Sequence, residues 1–249
     1  MTNIDVKDIN EFHQAIATVK ATFPHCWYRG LTDLTYPLSP SIYRTPYKAE
    51  LESTFLGRFK SQTPPFLTHM PQNDWEWLFL MQHYGVPTRL MDWTELPMVA
   101  LIFALKNINT AADDKKDLVV YCLNPKELNR KVGGINFNEN DPIPFIGKEQ
   151  EHLYGVGQTK KNNLPIAIIG PLNNHRIIAQ KGAFTLFPFK LDQNIEDQAE
   201  AKDYLIKITL KTGNLFEFKK ALTNLGITYD SLFPGLDSIA KDIIIPFKK

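Results

Sequence analysis

Two apolar stretches surround a polar segment near the middle of the chain, and this arrangement constrains the fold more than any other feature. DWEWLFLM precedes the segment QHYGVPTRLMDWT, residues 82–94, and ELPMVALIFALK follows it. Both apolar stretches have few polar positions, so both are expected to be buried. The polar segment between them is interpreted as a loop that is held against the interior of the protein.

Apolar periodicity predicts helices in the first half of the chain. Apolar side chains there either recur at three- or four-residue spacing or fill most positions. Asp74 and Thr94 are the expected caps of the third and fourth helices, since their side chains can accept hydrogen bonds from free first-turn amides. The predicted helices are residues 8–22, 47–61, 75–84 and 95–106.

Strand-like segments dominate after residue 117. They are short and rich in β-branched and aromatic residues, and they comprise DLVVYCL, LPIAIIG, GAFTLFPF and YLIKITL, while HCWYRGL gives an earlier strand. We therefore expect one α+β domain over residues 1–249, with a helical N-terminal half packed on a mostly antiparallel sheet from the C-terminal half. Residues 124–163 are interpreted as a flap or an insertion, and short helices are predicted at 214–225 and 237–244.

Charge and hydropathy exclude several classes of protein. The net charge is +1, from 28 basic and 27 acidic residues, so no bulk attraction to nucleic acid or membranes is expected. The N-terminus lacks the pattern of a signal peptide, and the longest apolar run is too short to span a bilayer. We expect a cytoplasmic protein with no membrane partner. The cysteines, Cys26 and Cys122, are predicted to be buried thiols, and no metal-ligand spacing such as HxxxH or CxxC occurs.

Three polar clusters interrupt the apolar pattern: residues 28–30, 82–94 and 175–188. In the first cluster, the Arg29 guanidinium is suited to a two-point contact with phosphate oxygens, and Gly30 would let a ligand approach the backbone. The alternative is that Arg29 forms a structural ion pair, for example with Asp92.

Simpler interpretations also exist for the second cluster. Arg89 and Asp92 are three residues apart and suit a mutual ion pair, Trp93 suits a packing anchor, and threonines at 88 and 94 suit turn and cap positions. The sequence contains no GxSxG, no P-loop and no GxGxxG, so the common nucleophile and phosphate-binding motifs are absent.

Six segments together resemble the FRG-domain family, which is named for its (Phe/Tyr)-Arg-Gly motif, here Tyr28-Arg29-Gly30. They are WYRGL, YPLSPSIYR, ELESTFLGRFK, QHYGVPTRLMDWT, RIIAQKGAFTLFP and LGITYDSLFPGLDSIA. The resemblance spans roughly residues 20–245 and implies a bacterial or phage protein, in some contexts with a role in defence or as a toxin.

A strand that ends in Tyr-Arg-Gly is also similar to the first motif of arginine-type ADP-ribosyltransferases. In those enzymes the arginine helps to hold NAD, so this similarity implies NAD as the cofactor and a split sheet. A Ser-Thr-Ser strand and a catalytic glutamate on a late strand have no clear counterpart in this chain. Gln180 and Glu151 are the nearest substitutes, but a glutamine cannot act as a base.

We interpret the three clusters as walls of one nucleotide pocket, with positive charge from arginines, amide groups from glutamines and a stacking surface from Trp93 or Tyr28. The ligand-binding candidates are Tyr28, Arg29, Gly30, Gln82, Thr88, Arg89, Asp92, Trp93, Thr94 and Arg176, and the catalytic candidates are His83, Gln180 and Glu151.

These residues predict an NAD-dependent, ADP-ribosyltransferase-like enzyme that acts on a protein or nucleic-acid acceptor. The alternative is a noncatalytic module that senses a nucleotide or nucleic acid. A third hypothesis is a structural domain in which Arg29 and Arg89 both pair with Asp92 and leave no cavity.

Overall fold

A seven-stranded sheet is the centre of the computed structural model, which describes residues 1–44, 46–132, 142–147, 154–155, 165–171, 175–191, 193–227 and 243. The strands are β1 (Thr2–Val6), β2 (Trp27–Leu31), β3 (Leu90–Thr94), β4 (Leu118–Leu123), β5 (Ile166–Ile168), β6 (Gly182–Leu186) and β7 (Leu205–Leu210). Their order in the sheet is β1-β7-β4-β2-β3-β6-β5. All neighbours are antiparallel except β1 and β7, which are parallel. The predicted α+β class is therefore confirmed.

Helices flank this sheet and precede most of its strands. They are α1 (Ile9–Thr22), α2 (Glu52–Gln62), α3 (Asp74–His83), α4 (Pro97–Leu105), α5 (Pro125–Val132), α6 (His175–Ala179), α7 (Ala201–Tyr204) and α8 (Leu215–Asn224). Asp8 caps α1 by accepting hydrogen bonds from two first-turn amides. The predicted helix at 237–244 and most of the interpreted flap lie outside the described residues, although α5 falls at the start of that flap.

Two predicted caps are wrong. The side chain that caps α3 is Asn73, which accepts a hydrogen bond from the amide of Glu76, while Asp74 is the first helical residue. Thr94 ends β3, and α4 begins three residues later at Pro97. The hydroxyl of Thr94 nevertheless accepts a hydrogen bond from the amide of Leu96 at 3.1 Å, which shapes the turn into α4.

The polar segment 82–94 is not all loop, because its last five residues form β3 in the middle of the sheet. Met91 and Trp93 are buried on one face of the strand. Leu90 and Thr94 are buried on the other face, and Asp92 between them is the exposed residue of β3. Three of the seven strands, β1 to β3, precede the predicted strand region after residue 117. The sheet is thus built from both halves of the chain.

The core lies on both faces of the sheet. One face packs against α1, α4 and α8, and α4 is buried nearly all around because it lies directly on β2. The opposite face carries large side chains such as Trp27, Met91 and Trp93. A third cluster joins α2 and α3 to β3, β5 and β6. Across the described ranges, no helix is long and apolar enough to cross a membrane.

The junction between β2 and β3, here called the seam, is the weakest connection in the sheet. Only Tyr28 and Thr94 pair across it, whereas β2 pairs with β4 at five positions and β3 pairs with β6 at five. The two strands therefore diverge beyond this single pair. The helices α4 and α3 cover β2 and β3 on either side of the seam.

Candidate functional site

A cavity of about 300 Å³ lies where β2 and β3 diverge at the seam. Its walls come from all three polar clusters of the sequence, so the predicted convergence is present in the structure. Nine of the predicted site residues line this cavity: Tyr28, Arg29, Gly30, Gln82, His83, Asp92, Trp93, Thr94 and Gln180.

Arg29 is the cation at the centre of the seam. Its Nη1 donates a hydrogen bond to the backbone oxygen of Asp92 at 2.5 Å, a group that an adjoining strand would otherwise pair. Its Nε is buried and has no hydrogen-bond partner among the described residues. Burial lowers the pKa of Arg29 to about 10, with nearby Asp92 opposing this shift and Arg44 adding to it. The guanidinium stays charged at neutral pH and keeps one donor for a ligand.

Asp92 places a carboxylate in the same cavity. Its Oδ2 accepts a hydrogen bond from Nε2 of Gln82 at 3.0 Å, and Oε1 of Gln82 accepts one from the hydroxyl of Thr88 at 2.7 Å. The amide of Leu90 donates to that same hydroxyl oxygen at 3.2 Å, which leaves the Thr88 proton free to point at Gln82. The amide of Gln82 is thus oriented by Thr88, and it fixes the carboxylate of Asp92. Thr88 itself does not line the cavity.

Asp92 supplies the one carboxylate among the described residues that line the cavity. Arg29, Arg44 and Lys106 supply three cationic side chains there. The cavity is therefore positively charged, although the whole chain is nearly neutral, with a net charge of +1. Such a lining favours an anionic ligand.

Arg89 does not line the cavity, and all three nitrogens of its side chain donate hydrogen bonds within the fold. Its side chain is fully buried, and its Nε and backbone amide both donate to the Glu52 carboxylate, at 2.7 and 2.8 Å. Its two remaining nitrogens donate to the backbone oxygens of Phe187 and Tyr154. The predicted ligand-binding role of Arg89 is therefore corrected to a structural one. Its partner is Glu52 and not Asp92, since residues 37 positions apart meet in the fold.

Gly30, which was predicted to let a ligand approach the backbone, has a packing role in the fold. A Cβ atom at this position would lie 1.8 Å from the backbone oxygen of Ala100 and 2.7 Å from the amide nitrogen of Ala104. The glycine is required because α4 packs directly on β2 at this point. Gly30 lines the cavity as well, but helix packing is the stronger constraint on its side chain.

The two aromatic residues that were predicted to stack on a ligand are packed in the core. Trp93 is buried, and its indole nitrogen donates a hydrogen bond to the hydroxyl of Thr185 at 3.0 Å. The Tyr28 side chain is fully buried, and this burial raises the pKa of its hydroxyl far above the ordinary range. Tyr36, which is 47% exposed and lines the cavity, is the aromatic residue in a position to stack.

The rest of the predicted lining consists of Thr94, His83 and Gln180. The Thr94 hydroxyl donates a hydrogen bond to the backbone oxygen of Gln180 at 2.5 Å, which ties β3 to the turn before β6. His83 lies at the end of α3, with its ring against that of Tyr84. Arg176 falls within α6, but its side chain lies outside what the structure describes, and Glu151 is not among the described residues.

Sequence reasoning missed several cavity residues, of which Tyr36 and Arg44 matter most. Both belong to YPLSPSIYR, a segment that carried the family resemblance but received no chemical role. Phe103 and Lys106 also line the cavity, at the C-terminal end of α4. The apolar pattern of this helix predicted only burial, so neither residue was predicted to belong to the site. Within the described ranges, no group of three or more His, Cys, Asp or Glu side chains could hold a metal ion.

Comparison with known proteins identifies one family. Residues 24–113 match the family model described as FRG domain, so the chain contains an FRG domain over this segment. The match runs from just before β2 to just beyond α4 and supplies Arg29, Arg44, Gln82 and Asp92 to the cavity. Gln180 and its neighbours lie outside it, and the wider extent of residues 20–245 stays a prediction. No curated protein and no solved structure matches the chain.

Proposed function

We propose that this FRG-domain chain is a nucleotide-binding, ADP-ribosyltransferase-like enzyme, and that its cavity at the seam takes NAD. The observation that carries the proposal is one cavity that combines a buried guanidinium nitrogen without a partner and a carboxylate held in place. A cation is suited to the phosphates of a nucleotide, and a fixed carboxylate is suited to positive charge that develops on a sugar.

The lining fits a nucleotide in size and in chemistry. The volume of about 300 Å³ lies at the lower end of small-molecule sites, so part of a dinucleotide would be enclosed. Arg29 and its unpaired Nε offer a donor to phosphate oxygens, and the exposed ring of Tyr36 offers a stacking surface. Apolar groups of α4, such as Phe103, exclude water from one side.

Asp92 is the residue best placed for catalysis. When bound, NAD supplies a ribosyl group whose transfer passes through a cationic transition state. The Asp92 carboxylate would stabilise that charge, and Gln82 would hold the carboxylate in position. His83 and Gln180, which were predicted to be catalytic, line the same cavity. In this proposal they lie near the acceptor, which is a protein or a nucleic acid.

Titration calorimetry of the purified chain with NAD, ATP and short oligonucleotides tests the proposal. NAD should bind saturably, and Arg29→Gln should weaken this binding at least about tenfold because a charge-assisted hydrogen bond to phosphate is lost. Arg58→Gln is the matched control, since Arg58 is an exposed arginine on α2. Asp92→Asn should retain NAD binding but abolish the release of nicotinamide.

Each other outcome favours a different conclusion. If ATP or an oligonucleotide binds and NAD does not, the result would favour the alternative function, a noncatalytic module that senses a nucleotide or nucleic acid. NAD binding with release of nicotinamide unchanged in Asp92→Asn would remove Asp92 from the mechanism. The bacterial defence or toxin setting is part of the proposal, and it predicts that expression of the wild-type chain slows bacterial growth while Asp92→Asn does not.

A further inference from the structure

The connection after β2, residues 32–44, is anchored at several points and contributes Thr32, Tyr36 and Arg44 to the cavity lining. Leu38 is fully buried, and its amide donates a hydrogen bond to Oε1 of Glu196 at 2.8 Å. The Tyr43 hydroxyl donates to the backbone oxygen of Pro188. This connection ends at Arg44, so the position of Arg44 is fixed by contacts that lie outside the cavity.

Arg29 and Arg44 share the cavity lining, and each is satisfied only in part. Arg29 donates to the backbone oxygen of Asp92, and Arg44 donates to the backbone oxygen of Ser39 at 2.8 Å. In the part of the chain that the structure describes, neither guanidinium has an ion pair with a carboxylate. The Nε of Arg29 is buried without a hydrogen-bond partner.

The two like charges that line this cavity repel each other, and an anion between them would offset that repulsion. Arg44 lowers the pKa of Arg29, in addition to the larger lowering by burial, so the two guanidiniums are close enough to repel. Arg44 is exposed overall, and the partial burial of its guanidinium lowers its pKa. A bound anion would reverse this cost, because each guanidinium presents a planar fork of donors to oxygen atoms.

We propose that Arg29 and Arg44 together form a phosphoryl subsite, in which the phosphate of a nucleotide lies between the two guanidiniums. This inference rests on the proposed function for the identity of the ligand as a nucleotide, and it adds Arg44 and the connection 32–44 to the site. Free pyrophosphate has the same chemistry and would bind to the same two side chains.

A series of ligands with increasing phosphate content tests this subsite by titration calorimetry. Adenosine, AMP and ADP form one series, nicotinamide riboside and nicotinamide mononucleotide form a second, and inorganic pyrophosphate is measured alone. The first phosphate should increase affinity at least about tenfold in one series, as expected for charge-assisted hydrogen bonds. Arg44→Gln and Arg29→Gln should each remove most of this gain, whereas Arg58→Gln should retain it.

Thermal unfolding of every variant separates a binding defect from a folding defect. Arg44→Lys keeps the charge but lacks the planar fork, so it should recover only part of the phosphate-dependent gain. A gain that is unchanged in Arg44→Gln would overturn the subsite, even if NAD binds and nicotinamide is released. Phosphate-dependent binding that requires Arg44, without any NAD binding, would support the subsite and overturn NAD as the ligand. If no ligand binds, both proposals fail.

Discussion

Arg29 and Arg89 lie on neighbouring strands or beside them, yet their surroundings differ in one decisive way. Each nitrogen of the Arg89 side chain donates to Glu52 or to a backbone oxygen, and the guanidinium also stacks on the ring of Phe189 at 3.7 Å. Within the described part of the chain, Arg29 has one backbone partner, and its buried Nε has none. Complete pairing marks an arginine that holds the fold, and incomplete pairing beside a cavity marks one that is available to a ligand.

The largest effect is expected from Arg89→Ala, which removes one partner of the fully buried Arg89–Glu52 ion pair. An unpaired carboxylate would remain in the core, so the free energy of unfolding should fall by about 3–5 kcal/mol. Urea denaturation followed by circular dichroism measures this loss. Arg29→Ala, in contrast, should cost about 1 kcal/mol or less, near the typical effect of a single substitution. Equal losses in the two variants would contradict the distinction between them.

Gly30→Ala tests whether the glycine beside Arg29 serves packing rather than ligand approach. Its new methyl group would clash with the backbone of α4 at Ala100, so the free energy of unfolding should fall by about 1–3 kcal/mol. Gly57→Ala is the matched control, because a Cβ there meets nothing within 4 Å and lies within α2. That control should stabilise the chain by up to about 1 kcal/mol. A Gly30→Ala variant with normal stability and weakened ligand binding would favour ligand approach instead.

The smallest effect is expected from a carboxylate. Glu52 is paired with Arg89, whereas Glu196 has no such ion pair among the described residues. Oε2 of Glu196 is buried and has no hydrogen-bond partner among the residues that the structure describes. Burial raises the pKa of this carboxyl above its ordinary value of 4.5, and the hydrogen bond from the Leu38 amide opposes this shift. Because the pKa of Glu196 is higher in the folded than in the unfolded state, its protonation stabilises the fold. That stabilisation is complete below the unfolded-state pKa and is lost as the pH rises through the folded-state pKa.

Glu196→Gln retains an acceptor for the Leu38 amide but does not ionise. We expect it to remove this part of the pH dependence and, at neutral pH, to raise the free energy of unfolding by less than about 1 kcal/mol. Urea midpoints below and above pH 4.5 measure the change, with the exposed Glu217→Gln on α8 as the control. A destabilised variant at neutral pH would show that the ionised carboxylate is needed.

Local patterns were sufficient for most elements and for the existence of the site. Helical spacing and strand composition located α1, α3, α8, β2 and β7 because these signals arise within a few residues. The convergence of the three polar clusters was also predicted. The partner of Arg89 was not, because Glu52 is 37 positions away and lies in a helix whose charges looked solvated. The strand β3 was missed since its exposed Asp92 resembled a loop residue.

The packing role of Gly30 shows the same limit. A glycine next to an arginine is consistent with a ligand contact or with a helix that approaches closely, and only the position of α4 distinguishes the two. Tyr36 and Arg44 lay in a proline-rich connection without periodicity, so no local signal directed them to the cavity. Side chains whose role depends on a distant element require the fold for their assignment.

The single residue pair at the seam also bears on how the protein opens. Few backbone hydrogen bonds join the strands β1, β7, β4 and β2 to the strands β3, β6 and β5, so the two groups are expected to exchange their amide protons as separate units. Fewer residue pairs join β2 to β3 than join the strands within either group, although side chains from both groups pack in one core cluster. Because the cavity lies at this junction, any widening between β2 and β3 would also change the shape of the cavity.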